Sequence, residues 1–215
     1  MPRTARGRTA VLAGGVVLPL AVGALVLLVA VRTGTGQHLD AAALAVLSVT
    51  DPVLGGAARL LRELVLLGAA AALAWQVVRA VRRGERRTVV VAVLLPAVAA
   101  GAAVVLRDQV VHRPWLGDNG YPYNTFPSAH TATLAALCVG IVLLAGTGAS
   151  LRGLAVLGFV LAAGVWSNVA TMSHRPSDVV GSLLLVTALA TPAVLVAGRA
   201  SPARRHGSED RTNAK

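Results

Sequence analysis

Thr88–Leu106 reads TVVVAVLLPAVAAGAAVVL, with Arg86 and Arg87 before it and Arg107 after it. No charge interrupts it. A helix needs about 20 such residues to cross the ~30 Å hydrocarbon core of a bilayer. Pro96 sits inside the run; a membrane helix tolerates it as a kink, because neighbouring groups satisfy the freed carbonyl. The run is therefore expected to be a transmembrane helix.

Five further runs follow the same logic. Thr9 to Val31 lies uncharged between Arg8 and Arg32. Arg3, Arg6 and Arg8 before it resemble a signal-peptide n-region, but the run exceeds the usual ~7–15-residue core and no small-x-small cleavage site follows. It is read as a retained first helix. Leu64 to Val78 is short, and spans only if its helix begins near Leu60, with Arg59, Arg62 and Glu63 paired or snorkelling at the interface. Thr131 to Leu151, Gly153 to Met172 and Val179 to Gly198 complete the set. Ala41 to Val49 is too short to cross and suits an interfacial helix.

Composition agrees. Hydrophobic residues make up 55% of the 215 and charged residues 13%, against about 25% charge in a soluble domain. The mean hydropathy is +0.70. The net charge of +11 does not mark a nucleic-acid-binding face, because the basic residues sit at the ends of apolar runs. Cys138 is the single cysteine, which rules out an intrachain disulfide and leaves a small core residue.

Lys and Arg collect on the cytoplasmic side of membrane proteins. Here they lie before the first run, in the link Arg79–Arg87, at Arg152, and at Arg199, Arg204 and Arg205 after the last. With six spans all four flanks share one side; with five they do not. The expected fold is all-α, a polytopic bundle of six transmembrane helices. Its parts are a cytoplasmic flank (1–8), a membrane domain (9–198) and a disordered cytoplasmic tail (199–215), with both termini inside. Connections 33–52, 107–127 and 173–178 then face outward.

Two of these connections carry the unusual polar residues. The first holds Arg107, Asp108, His112, Arg113-Pro114 and Trp115. It continues through Asp118, Tyr121 and Tyr123 to Pro127-Ser128-Ala129-His130. The second reads Ser173-His174-Arg175-Pro176-Ser177-Asp178. Pro127 suits the start of a helix, so Ser128 and the next backbone N–H groups form an anion-attracting terminus. His174 and Asp178 are four apart, on one face if the helix is continuous. Each feature alone has an ordinary reading as an interfacial polar residue, a loop or a cap. Two histidines, arginines, a hydroxyl and a helix N-terminus at successive helix mouths point to phosphoryl transfer.

These motifs resemble the type-2 phosphatidic acid phosphatases, a family that includes bacterial lipid phosphatases. Its pattern is a base, six residues, Arg-Pro; then Pro-Ser-Gly-His; then Ser-Arg, five residues, His, three residues, Asp. Arg113-Pro114, Pro127-Ser128-Ala129-His130, and Ser167 with His174 and Asp178 match it in turn, across roughly residues 107–182. The chain departs at three points, as a divergent member would. Arg107 lies one residue too close to Arg113, Ala129 replaces Gly, and Asn168 stands where the pattern has Arg, a bidentate phosphate ligand. Arg175 and His112 are the candidates to replace that charge.

The resemblance implies a metal-independent hydrolase of lipid phosphates or diphosphates, with no cofactor. Its substrates would be polyprenyl diphosphate, phosphatidic acid or related lipids, and its partners membrane lipids rather than nucleic acid. It implies His174 as the nucleophile of a phosphohistidine, Asp178 as its orienting carboxylate, and His130 as general acid and then base. It further implies Arg107, Arg113, Ser128, Ala129, Ser167, Asn168 and Arg175 around the phosphate, at the extracytoplasmic face. The alternatives are a catalytically weakened lipid-phosphate-binding protein of the same fold, and a small transporter. A transporter would need polar residues along a path through the bilayer; apart from Ser167, Asn168 and Glu63 the runs are nearly free of them. Vanadium haloperoxidases share the anion-site pattern, but the apolar runs argue against that soluble class.

Overall fold

The computed structural model describes residues 5–117 and 123–198, and every regular element among them is helical. Seven α-helices follow in order: α1 Ala5–Val26, α2 Gly34–Leu47, α3 Pro52–Arg82, α4 Arg86–Val105, α5 Ala129–Ala145, α6 Leu151–Ala170 and α7 Pro176–Ala197. Single π-helical turns extend α1 over Leu27–Val31 and α4 over Leu106–Val110. The tail 199–215, residues 1–4 of the 1–8 flank, and Asp118 to Pro122 lie outside the described residues.

Five helical segments are long and apolar enough to cross a membrane: Ala10–Val31, Pro52–Arg82, Arg86–Val110, Leu151–Ala170 and Pro176–Ala197. The sixth, α5, has 17 residues, about 25 Å at 1.5 Å per residue. The uncharged run reaches Leu151, but the helix stops at Ala145 because Gly146 adopts φ 55°, a conformation that costs glycine no steric penalty. A short 3-10 turn, Gly146–Gly148, follows.

The second span is longer than its apolar core suggests. Asp51 accepts from the N–H groups of Val53 and Leu54, both at 2.9 Å, and Pro52 occupies the first turn. This cap starts α3 well before Leu60, so it runs unbroken for 31 residues. Arg62 bridges to Glu63 at 2.9 Å and to Ser173 Oγ at 2.8 Å. Helix α2 also begins earlier than Ala41, because Thr33 Oγ1 caps it by accepting from Gly36 N–H.

α5 is the central helix, in contact with α3, α4, α6 and α7, while α1 packs on the outside of α7. Small side chains make the close approaches: Ala92, Ala99 and Ala103 of α4 are fully buried, as are Ala132 and Ala136 of α5. A Cβ on Gly140 would stand 3.0 Å from the Ala92 carbonyl oxygen. Small residues letting backbones approach are the usual means of packing helices in lipid.

The polarity of the bundle is inverted. Leu18, Leu67, Phe159 and Val46 are exposed, whereas the buried polar residues, among them Asn168, His174, Arg175 and Asp178, gather at one end. A water-soluble chain buries the first kind and exposes the second. The basic link sits at the opposite end, where Arg83 donates to the Leu144 carbonyl at the end of α5. The connections 33–52, 107–127 and 173–178 meet at the polar end: Gln37 donates to Pro114 O, Val49 N–H to Ala170 O, and Ser128 N–H to Asp178 O.

Candidate active site

Three helix termini and one loop build the site. Ser128 caps α5; its Oγ accepts from Thr131 N–H at 3.2 Å, and the residue is fully buried. Its carbonyl accepts from Ser182 Oγ at 2.9 Å, and the same hydroxyl lies 2.7 Å from Asp178 O. These bonds lock the α5 start to the first turns of α7.

α6 ends at Ala170. A tight turn follows, in which Met172 takes φ 56°. The Asn168 carbonyl accepts from both Ser173 N–H and His174 N–H, at 3.1 and 3.2 Å. The turn therefore fixes the backbone of His174 against the end of α6. Pro176 then opens α7, and Asp178 lies in its first turn.

Asp178 is the hub. Oδ1 accepts from Arg113 at 3.0 Å; Oδ2 accepts from Thr125 Oγ1 at 2.5 Å and from Arg175 N–H at 2.9 Å. Its side chain is 0% exposed and that of Arg113 3%. The expected pairing with His174 is looser: Nδ1 lies 3.7 Å from Oδ2, beyond hydrogen-bond length. Pro176 explains the gap. It starts the helix after His174, so the two are not on one continuous helical face. The His174 Nδ1 atom is buried and makes no hydrogen bond among the described residues.

Seven of the sequence-derived site residues are buried together at this end: Arg113, Ser128, Ser167, Asn168, His174, Arg175 and Asp178. Arg175, at 1% exposure, is the largest fully buried side chain. Ala129 is half-buried beside them. Ser167 Oγ donates back to Gly164 O at 2.9 Å, so it serves its own helix. Arg107 pairs with Asp108 at 2.6 Å, about one-third exposed. It stands at the rim rather than in the buried cluster. His130 is exposed in the first turn of α5, within electrostatic reach of Arg62, His174 and Arg107. His112 is likewise outside the buried set.

Asn168 occupies the place of the pattern's arginine. Its Nδ2 donates to Thr131 Oγ1 at 3.2 Å, and its buried Oδ1 has no hydrogen-bond partner among the described residues. A hydroxyl donates as readily as it accepts. Turning the amide over keeps the Thr131 bond and points the NH2 group where Oδ1 now lies. In that orientation the amide has donors to offer at that point.

Sequence reasoning missed Thr125, Thr131, Ser182 and, above all, Asp40 of α2. Asp40 accepts from Ser177 N–H at 2.9 Å and Ser177 Oγ at 2.6 Å. It also lies 3.9 Å from Arg113. Burial pushes its carboxyl above the ordinary range, and the Ser177 hydrogen bonds partly oppose that shift. The available signal was polar spacing: Gln37 and Asp40 share one helix face with Leu44. Among the described residues, no three His, Cys, Asp or Glu side chains group as a metal site.

Set against known proteins, the chain matches no family model, no curated protein and no solved structure.

Proposed function

We propose that this protein is a membrane-embedded lipid phosphatase that cleaves a lipid phosphate or diphosphate through a phosphohistidine on His174. The observation that carries the reading is the buried cluster of His174, Arg175, Arg113 and Asn168 beside the capped N-terminus of α5, at one end of an apolar bundle. Two buried guanidinium groups and a helix N-terminus favour a phosphate group over any neutral ligand. The motif spacing described above supports the same reading.

In the first step His174 Nε2 attacks phosphorus. The N–P bond forms, the P–O bond to the lipid breaks, and His130 gives its proton to the departing oxygen. In the second, His130 takes a proton from water, the resulting hydroxide attacks phosphorus, and the N–P bond breaks to release phosphate. Asp178 holds Arg113 in place at 3.0 Å, and its charge, 3.7 Å from Nδ1, favours the ring orientation that turns Nε2 toward phosphorus. Arg113, Arg175, Ser128, the Ala129 N–H and the turned Asn168 amide meet the non-bridging oxygens, whose charge grows in the transition state. Arg107 at the rim attracts the incoming anion.

The helices α1, α3, α4, α5, α6 and α7 are read as six crossings. α5 spans with its 3-10 turn and lies innermost, where lipid contact is least. The basic link and both termini are cytoplasmic by the distribution of Arg. The site is extracytoplasmic, at head-group level, where a lipid reaches it with its tail still in the bilayer.

A second reading has its own support. Arg113 is already held by Asp178 and lies close to Asp40, as in a site that binds a lipid phosphate without turning it over. Phosphate release from a panel of lipid phosphates in detergent separates the two. Release that vanishes in His174→Ala supports the phosphatase; saturable binding without release supports the binder.

A further inference from the structure

Helix α2 is inside out. Leu39 and Val46 point outward at 64% and 84% exposure, while Gln37 and Asp40 are buried at 3% and 7%. A helix resting on a membrane surface through an apolar face would gain nothing from an inward polar face unless that face had polar work to do. Gln37 takes up two carbonyls, Val31 O at the end of the α1 extension at 2.8 Å and Pro114 O in the 107–127 connection at 2.9 Å. The second of these belongs to the residue after Arg113. Asp40 goes further in. Its two oxygens accept from the N–H and the hydroxyl of Ser177, in the first turn of α7, and Oδ2 lies 3.9 Å from Arg113 NH1.

We propose that Asp40 is a positioning residue of the site, resting on the reading of that site as a phosphate site. Its carboxylate ties the first turn of α7 to the Arg113 guanidinium, and so fixes the spacing between the α7 groups and the cation that together hold a phosphate. Arg113 then lies between two carboxylates: Asp178 holds NH2 at 3.0 Å, and Asp40 faces NH1. A guanidinium bonded by Asp178 and attracted by the Asp40 charge on its other side is biased to one orientation, so less freedom is lost when the anion binds. Asp40 itself touches no reacting atom. α2 lies across the ends of α6 and α7 and contacts both, which places the interfacial helix in mechanical contact with the site.

The test is orthovanadate affinity of the purified full chain in detergent, measured by calorimetry beside melting temperature and phosphate release. Asp40→Ala removes hydrogen bonds to a charged acceptor and should weaken vanadate binding by about tenfold or more. Asp40→Asn keeps an acceptor for Ser177 and should lose less. Leu44→Ala loosens the packing of α2 on Val169 and Val179 without touching the polar groups. It should lower the melting temperature and leave vanadate affinity within about twofold, because it removes no polar group or charge around Arg113. If Asp40→Ala does not fold, Asp40→Asn and Ser177→Ala decide in its place, each binding vanadate more weakly than the unaltered chain. Unchanged or tighter binding in the Asp40 variants overturns the proposal, as does equal weakening in Leu44→Ala or an unaltered chain that binds no vanadate. An unaltered chain that binds vanadate but releases no phosphate from any lipid overturns the phosphatase reading alone.

Discussion

Asp178→Asn should destabilise the protein, not only silence it. The carboxylate is fully buried and accepts from Arg113, Thr125 and the backbone of Arg175. Asparagine has one acceptor oxygen in place of two and carries no charge. Its NH2 group would face donors that Oδ1 or Oδ2 now satisfies. Arg113, with its side chain 3% exposed, would lose the carboxylate at 3.0 Å, while Asp40 stays more distant at 3.9 Å. Removing one partner of a buried ion pair costs about 3–5 kcal/mol, against a total stability of about 5–15 kcal/mol for a typical protein. By the scale of chains of this length, melting should fall by roughly 6 °C or more. His174→Ala is the matched control. Its Nδ1 makes no hydrogen bond, so the loss is packing alone, about 1–2 kcal/mol. Tryptophan fluorescence melts of both purified variants in one detergent make the comparison. Equal melting temperatures would refute the placement of Asp178 as the structural hub.

Three other outcomes follow from particular contacts. Asn168→Asp is isosteric, but it replaces amide donors with a carboxylate beside the proposed anion site; vanadate affinity should drop by about tenfold or more, and unchanged affinity would remove Asn168 from the ligand set. Gly181→Ala should destabilise by about 1–3 kcal/mol, because its Cβ would stand 2.4 Å from the buried Phe126 ring, and a wild-type melting curve would show that the ring is not packed there. In a Cys138→Ala background, Trp115→Cys should react with an impermeant maleimide in intact cells and Gly84→Cys should not, while the reverse pattern would turn the bundle over.

The apolar runs placed α1, α4, α6 and α7 to within a few residues, because an uncharged segment bounded by Arg has one natural reading. The misjudged boundaries were set by capping rather than hydropathy. Asp51 and Pro52 start α3 ahead of its charged first turns, Thr33 starts α2 in a polar stretch, and Gly146 ends α5 inside an uncharged run. At the site, His174, Arg175, Asp178 and Ser128 were legible because they cluster beside prolines at helix starts, and Arg113 because it precedes Pro114 in a polar connection. The contact between His174 and Asp178 was not, since it depends on where Pro176 restarts the helix. For Asp40 the sequence offered its helix face, shared with Gln37, but not its contact. Its partner Ser177 is 137 residues away, and a lone aspartate before an apolar stretch reads as solvated.

The central claim is a covalent phosphoryl group on His174. The direct measurement is rapid quench of the purified chain with a lipid phosphate carrying a radioactive phosphoryl group, followed by acid and alkaline treatment of the labelled protein. The account predicts label on the protein that survives alkali, is lost in acid, maps to the peptide containing His174 and is absent in His174→Ala. Phosphate released at the normal rate by His174→Ala, or turnover with no labelled protein at any quench time, would contradict it.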